Sequence, residues 1–141
     1  MQQTILATDL DGTFLGGSAA ERAALYDWIG QRREEVVLIY VTGRSLTTMR
    51  DVLDDLPLQP DHIISDVGTA VYAGAARAPL PALEQWLDAG WPQHTPAAVR
   101  GILSRHPHLE EQPLVEGRRV SCFYSDARLA GAARAELEAA G

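Results

Sequence analysis

Two apolar runs, each closed by a short turn and then followed by helical spacing, constrain this chain more than any other feature. Val36-Val37-Leu38-Ile39-Tyr40-Val41 carries no charge, ends in Thr42-Gly43-Arg44-Ser45, and leads into Leu46, Met49, Val52, Leu53 and Leu56 at helical intervals. Thr4-Ile5-Leu6-Ala7-Thr8 is a shorter run of the same kind, closed by Asp9-Leu10-Asp11-Gly12-Thr13. A helix is expected from Ser18, where Glu21 completes a capping box, with Leu25, Trp28 and Ile29 as its buried stripe. Unbroken apolar runs read as buried parallel strands, and strand, turn and helix in repeated order point to an α/β fold around a parallel sheet. A third strand is expected over residues 62–65.

Ligands of open α/β sheets collect at the carboxyl ends of the strands, where both turns lie. In an extended chain Asp9 and Asp11 share a face, with one residue between them. A pair of carboxylates so placed suits phosphoryl transfer. Asp9 can attack phosphorus, while Asp11 gives a proton to the leaving alcohol and later activates water. Two anions facing a phosphate need a cation, and hard oxygen ligands suit Mg²⁺. Gly12 lets the backbone turn sharply. Thr42 offers a hydroxyl to a phosphate oxygen, Gly43 permits close approach of backbone N–H groups, and a helix starting at Ser45 adds its positive end. Read blandly, Asp-Gly is a strand-ending turn and Ser45 a helix cap; two such strand ends in tandem favour a phosphate pocket.

With these motifs the chain resembles the haloacid dehalogenase superfamily of phosphatases, whose first motif is Asp-x-Asp-Gly-Thr and whose second is a strand-ending Thr or Ser. It is most similar to the sucrose-phosphate phosphatase branch, through Thr42-Gly43-Arg44-Ser45, the stretch Ile63-Ile64-Ser65-Asp66-Val67-Gly68-Thr69-Ala70-Val71-Tyr72, and Arg119-Val120-Ser121 before Phe123 and Tyr124. The resemblance implies a Rossmann-like core with helices on both faces of a parallel sheet and an inserted α/β cap of the C2 type. It implies Asp9 as nucleophile and Mg²⁺ ligand, and Asp11 as acid/base whose backbone carbonyl also binds the metal. Thr42 and Gly43, with Leu10 and Gly12, form the implied phosphate site, and Arg119 and Ser121 the implied cap contacts. Arg119 stands where that branch has a lysine, and a planar fork there replaces a point charge. The implied reaction is hydrolysis of a sugar phosphate, sucrose 6-phosphate first. The alternatives are mannosylfructose, trehalose, mannosylglycerate or hexose phosphates, or a non-catalytic module that binds a sugar phosphate.

The superfamily's later lysine motif and its acidic Gly-Asp-x-x-Asn-Asp motif have no counterpart. All twelve basic residues are arginine, and Asp126 is the only aspartate after Val120. The expectation is therefore a chain cut short of its relatives, with core and cap both incomplete: core over residues 1–76, cap over residues 77–141. Strand edges left open in that way are expected to promote self-association.

Composition adds exclusions. A net charge of −7 argues against nucleic acid as partner, and no apolar run is long enough to cross a membrane. With no signal-peptide pattern, a cytoplasmic location is expected. The single Cys122 is expected to be a buried structural thiol, and His106-Pro107-His108 a solvated loop, with no partner for His62 or His94. Trp86 and Trp91 are read as core rather than sugar platforms. Residues 67–72 are read as a hairpin arm leaving the sheet, with Pro79 and Pro81 as the boundary. Helices are expected over residues 83–87, ending at Gly90, from Thr95 with Val99, Ile102 and Leu103 inward, and over residues 127–140. A strand is expected over residues 119–124.

Overall fold

The computed structural model describes residues 3–90, 95–113 and 117–140, in two compact units that divide between Glu84 and Gln85. Trp91 and His94 lie outside the described residues.

In the first unit β1 (Thr4–Asp9), β2 (Val36–Val41) and β3 (His62–Ser65) run parallel, joined by α1 (Ala19–Gly30) and α2 (Leu46–Asp55). The order is β1-β2-β3-β4-β5, with β4 (Ala70–Ala73) and β5 (Ala78–Pro79) added antiparallel. Ser18 and Glu21 cap α1 reciprocally, and Ser45 caps α2 by accepting from the Thr48 N–H, so both helices start where their polar residues allow. Ile29 of α1 and Met49 and Leu53 of α2 pack in one cluster with Leu38 and Tyr40 of β2, which places both helices on one face. Burial along β2 alternates accordingly: Val36, Leu38 and Tyr40 are buried, while Val37, Ile39 and Val41 are half-buried. The buried Tyr40 hydroxyl donates to the Leu58 carbonyl at 2.7 Å. Asp61 accepts from the Leu38 N–H at 2.7 Å and pairs with Arg33 at 3.0 Å, locking the entry of β3 against β2.

Three expectations for this unit are corrected. The inward stripe of α1 is Tyr26 and Ile29, whereas Leu25 and Trp28 are exposed and Trp28 lies under the Arg32 guanidinium at 4.5 Å. Aromatic Tyr26 wins the core position because its ring stacks on Phe14 at 4.8 Å and its hydroxyl reaches the Phe14 carbonyl at 2.7 Å. β1 is not buried: among the described residues it pairs only with β2, and Ile5 is 68% exposed. Residues 67–72 do not leave the sheet. Asp66–Gly68 reverses the chain, and β4 returns along β3 with Ile63 opposite Tyr72.

The second unit holds most of α3 (Pro81–Gly90), then α4 (Pro96–Leu103), α5 (Ala127–Ala139) and a two-stranded antiparallel ribbon of β6 (Glu110–Glu111) and β7 (Cys122–Phe123). The strand expected over residues 119–124 is confined to Cys122–Phe123, because β6 offers it only two partners before the ladder closes with Gln112 N–H on the Ser121 carbonyl at 2.8 Å. Cys122 is half-buried rather than buried; burial and the Glu111 carboxylate push its thiol up, so it stays protonated. His106 is not solvated. It is 7% exposed, with Nε2 at 3.2 Å from Glu136 of α5, which also accepts from Arg105 at 2.6 Å. That carboxylate draws the loop after α4 onto α5, which the local Pro107 pattern does not reveal. Trp86, expected in the core, is 70% exposed; the inward side chain of α3 is Leu87.

Candidate active site

β1 and β2 end side by side, with Asp9 opposite Val41, so the two turns that follow face each other. A cavity of about 300 Å³ lies there, lined by Asp9, Val41, Thr42, Gly43, Val67 and Gly68. Asp9, Thr42 and Gly43 are thus brought together. Asp9 is exposed at the strand end and its Oδ2 accepts from the Thr13 hydroxyl at 3.2 Å. Thr42 is buried; its N–H donates to the Ile64 carbonyl at 2.9 Å, which ties the pocket floor to β3, and its Oγ1 accepts from the Arg44 N–H at 3.2 Å. Gly12 sits at φ +75°, a conformation that glycine takes without strain, and turns the chain between Asp11 and Thr13. Leu10 places its side chain in the core at 1% exposure, and neither Leu10 nor Gly12, both expected in the phosphate site, lines the cavity.

Asp11 is held from the facing turn. Arg44 Nε donates to Asp11 Oδ2 at 2.9 Å and Nη2 to Oδ1 at 2.6 Å, a fork-to-carboxylate pair on half-exposed side chains. Arg44 was legible only as one letter of a motif. The signal that finds it is chemical: a chain without lysine has only guanidinium groups to set against its carboxylates. The second residue that the sequence reading passed over is Val67, an exposed apolar side chain on the cavity wall. Ser65 and Asp66 are buried, with Ser65 Oγ donating to Asp66 Oδ2 at 3.1 Å. Arg119 and Ser121 belong to the second unit, where both are half-buried just before β7.

The family model described as Sucrose-6F-phosphate phosphohydrolase matches residues 2–140. The chain belongs to this family. A mannosylfructose-phosphate phosphatase of Agrobacterium fabrum is 32% identical over 96% of the chain, which spans 54% of that protein. A glucosylglycerol-phosphate synthase of Pseudomonas anguilliseptica is 44% identical over 84% of the chain and 15% of its own length. A tobacco sucrose-phosphatase, from Nicotiana tabacum, is 29% identical over 81% of the chain and 27% of its own length. The fold is that of the sucrose-phosphatase of Synechocystis, solved with sucrose and phosphate: TM-score 0.81 at 23% identity, over 99% of this chain and 57% of that one. The chain therefore spans little more than half the length of the family relatives it resembles over nearly all its residues. Among the described residues no helix is long and apolar enough to cross a membrane.

Proposed function

We propose that this chain carries the nucleophile half of a phosphomonoesterase for sugar phosphates. The observation that carries the reading is the meeting of Asp9 with Thr42 and Gly43 at the ends of adjacent parallel strands, with Asp11 on the neighbouring turn. An Asp9 carboxylate oxygen attacks phosphorus, the bond from phosphorus to the sugar oxygen breaks, and Asp11 protonates the departing oxygen. Water, its proton taken by Asp11, then attacks the aspartyl phosphate and releases inorganic phosphate. Thr42 and the backbone at Gly43 hold the phosphoryl oxygens. For Asp11 to reach the leaving oxygen the Arg44 fork lets go of at least one carboxylate oxygen, and the freed guanidinium then faces the incoming phosphate.

The donor chemistry fits Mg²⁺, a hard cation that keeps several waters and takes one or two carboxylates. Asp9 and the backbone carbonyl of Asp11 would hold it. When bound, it neutralises charge between carboxylate and phosphate.

For the substrate we favour a phosphorylated sugar in glycosidic linkage, sucrose 6-phosphate first, because the family model is described for that ester. Mannosylfructose phosphate stands next, on the relative of that name that matches nearly the whole chain. A second reading, a phosphatase-like module that serves a sugar-phosphate synthase, is favoured by the 44% identity to a stretch of glucosylglycerol-phosphate synthase. Phosphate release from these two esters, with Mg²⁺ or EDTA and with Asp9→Asn as control, separates the readings. Release that needs both Asp9 and metal is expected; release indifferent to Asp9 would overturn the nucleophile assignment, and binding without release would favour the module.

A further inference from the structure

The turn after β3 carries three successive residues in the left-handed region: Asp66 at φ +52°, Val67 at φ +58° and Gly68 at φ +88°. Glycine tolerates this, and aspartate does so better than most, but for a β-branched valine it is an outlier. Neighbours impose the conformation. The Asp66 N–H donates to the Arg44 carbonyl at 2.9 Å, and the Thr69 hydroxyl and N–H donate to the Asp66 carbonyl at 2.8 and 3.3 Å. The turn is thereby fastened to the residue that grips Asp11.

Packing does not explain the valine, since Val67 is 69% exposed. Its side chain stands over Gly43, where a Cβ would lie 4.0 Å from Val67 Cγ2, and it lines the same cavity as Asp9 and Thr42. Strain kept at a site mouth by an anchored turn, for a side chain that buries little, is an observation that points to a ligand. We propose that Val67 is a specificity residue. Its methyl groups pack against the C–H surface of the carbon that bears the phosphate, so the pocket holds a carbon ester more tightly than the inorganic phosphate it releases. This rests on the phosphatase reading above and adds to it the means by which substrate is told from product.

The test uses the whole chain in an Asp9→Asn background, which prevents turnover, titrated calorimetrically with sucrose 6-phosphate and with inorganic phosphate. Val67→Gly and Val67→Ala are each expected to weaken the ester by about tenfold, the scale of a small apolar contact, and to leave inorganic phosphate within about twofold. Val67→Gly is also expected to raise the melting temperature by relieving the positive φ, which Val67→Ala does not do. An unchanged ratio of the two affinities in both variants, with the parent still binding phosphate, overturns the contact and leaves the phosphate site standing. Failure of Val67→Gly to raise the melting temperature overturns the strain on which the argument is built. Failure of the parent to bind either probe overturns the phosphatase reading and this inference with it.

Discussion

At the residue scale the candidate site is a pair of facing turns held by one guanidinium. Arg44→Ala removes the guanidinium that grips Asp11 at rest and that the proposed reaction turns to the phosphate, and the expected outcome is a fall in kcat/KM on the order of 100- to 1,000-fold, the range for losing a positioned donor. Arg44→Lys restores little, because an ammonium cannot fork onto two phosphoryl oxygens. Steady-state kinetics on a sugar phosphate checks both, and full activity in Arg44→Lys would show that only charge matters. The meeting of Asp9, Thr42 and Gly43 at neighbouring strand ends was legible, because apolar runs closed by polar turns place those turns side by side. Arg44 and Val67 were not, because neither type announces a role: one is defined by a partner 33 positions away in sequence, the other by a backbone angle.

Between residue and molecule, each element is defined by the face it hides. Met49 of α2 is fully buried among Leu38, Leu53 and Ile63, so Met49→Ala is expected to cost about 2–5 kcal/mol in chemical denaturation. Trp28→Ala, on the exposed side of α1, is expected to cost no more than about 1 kcal/mol. Equal losses would restore the stripe that the sequence suggested. That stripe was misread because leucine and tryptophan look more apolar than tyrosine, while the fold uses a tyrosine hydroxyl as an anchor within the packing. The first three strands and the caps were legible, since apolar runs mark β1 to β3 and Ser18, Ser45 and Thr95 each announce a helix start. His106 was not, since its partner Glu136 lies 30 positions on, in α5.

Tyr40 gives β2 a pH signature. Burial, and next the neighbouring Tyr26, push its phenol well above the ordinary value of 10. The folded state therefore keeps a proton that the unfolded chain gives up near pH 10. Its contribution is complete below that pH and is lost as pH rises beyond it. The melting temperature is expected to fall above pH 10, and Tyr40→Phe, which has no proton to lose, to fall less steeply.

On the scale of the whole molecule, the described sheet has an open side at β1, whose six residues carry no lysine or proline to discourage pairing. Self-association of this chain is expected in light scattering, and Ile5→Lys, which puts a charge on that edge, is expected to lower it. A monomeric parent would remove the expectation. The parallel order of β1, β2 and β3 was legible from strand and helix alternation. The return of β4 beside β3 was not, because it depends on left-handed angles at Asp66 and Val67 that no propensity suggests. Any strand that docks on the free side of β1, from whatever polypeptide and in either direction, brings one of its ends next to Asp9. On the phosphatase reading proposed above, the open edge of the sheet and the phosphate pocket share the end of β1, so a strand paired there would border Asp9.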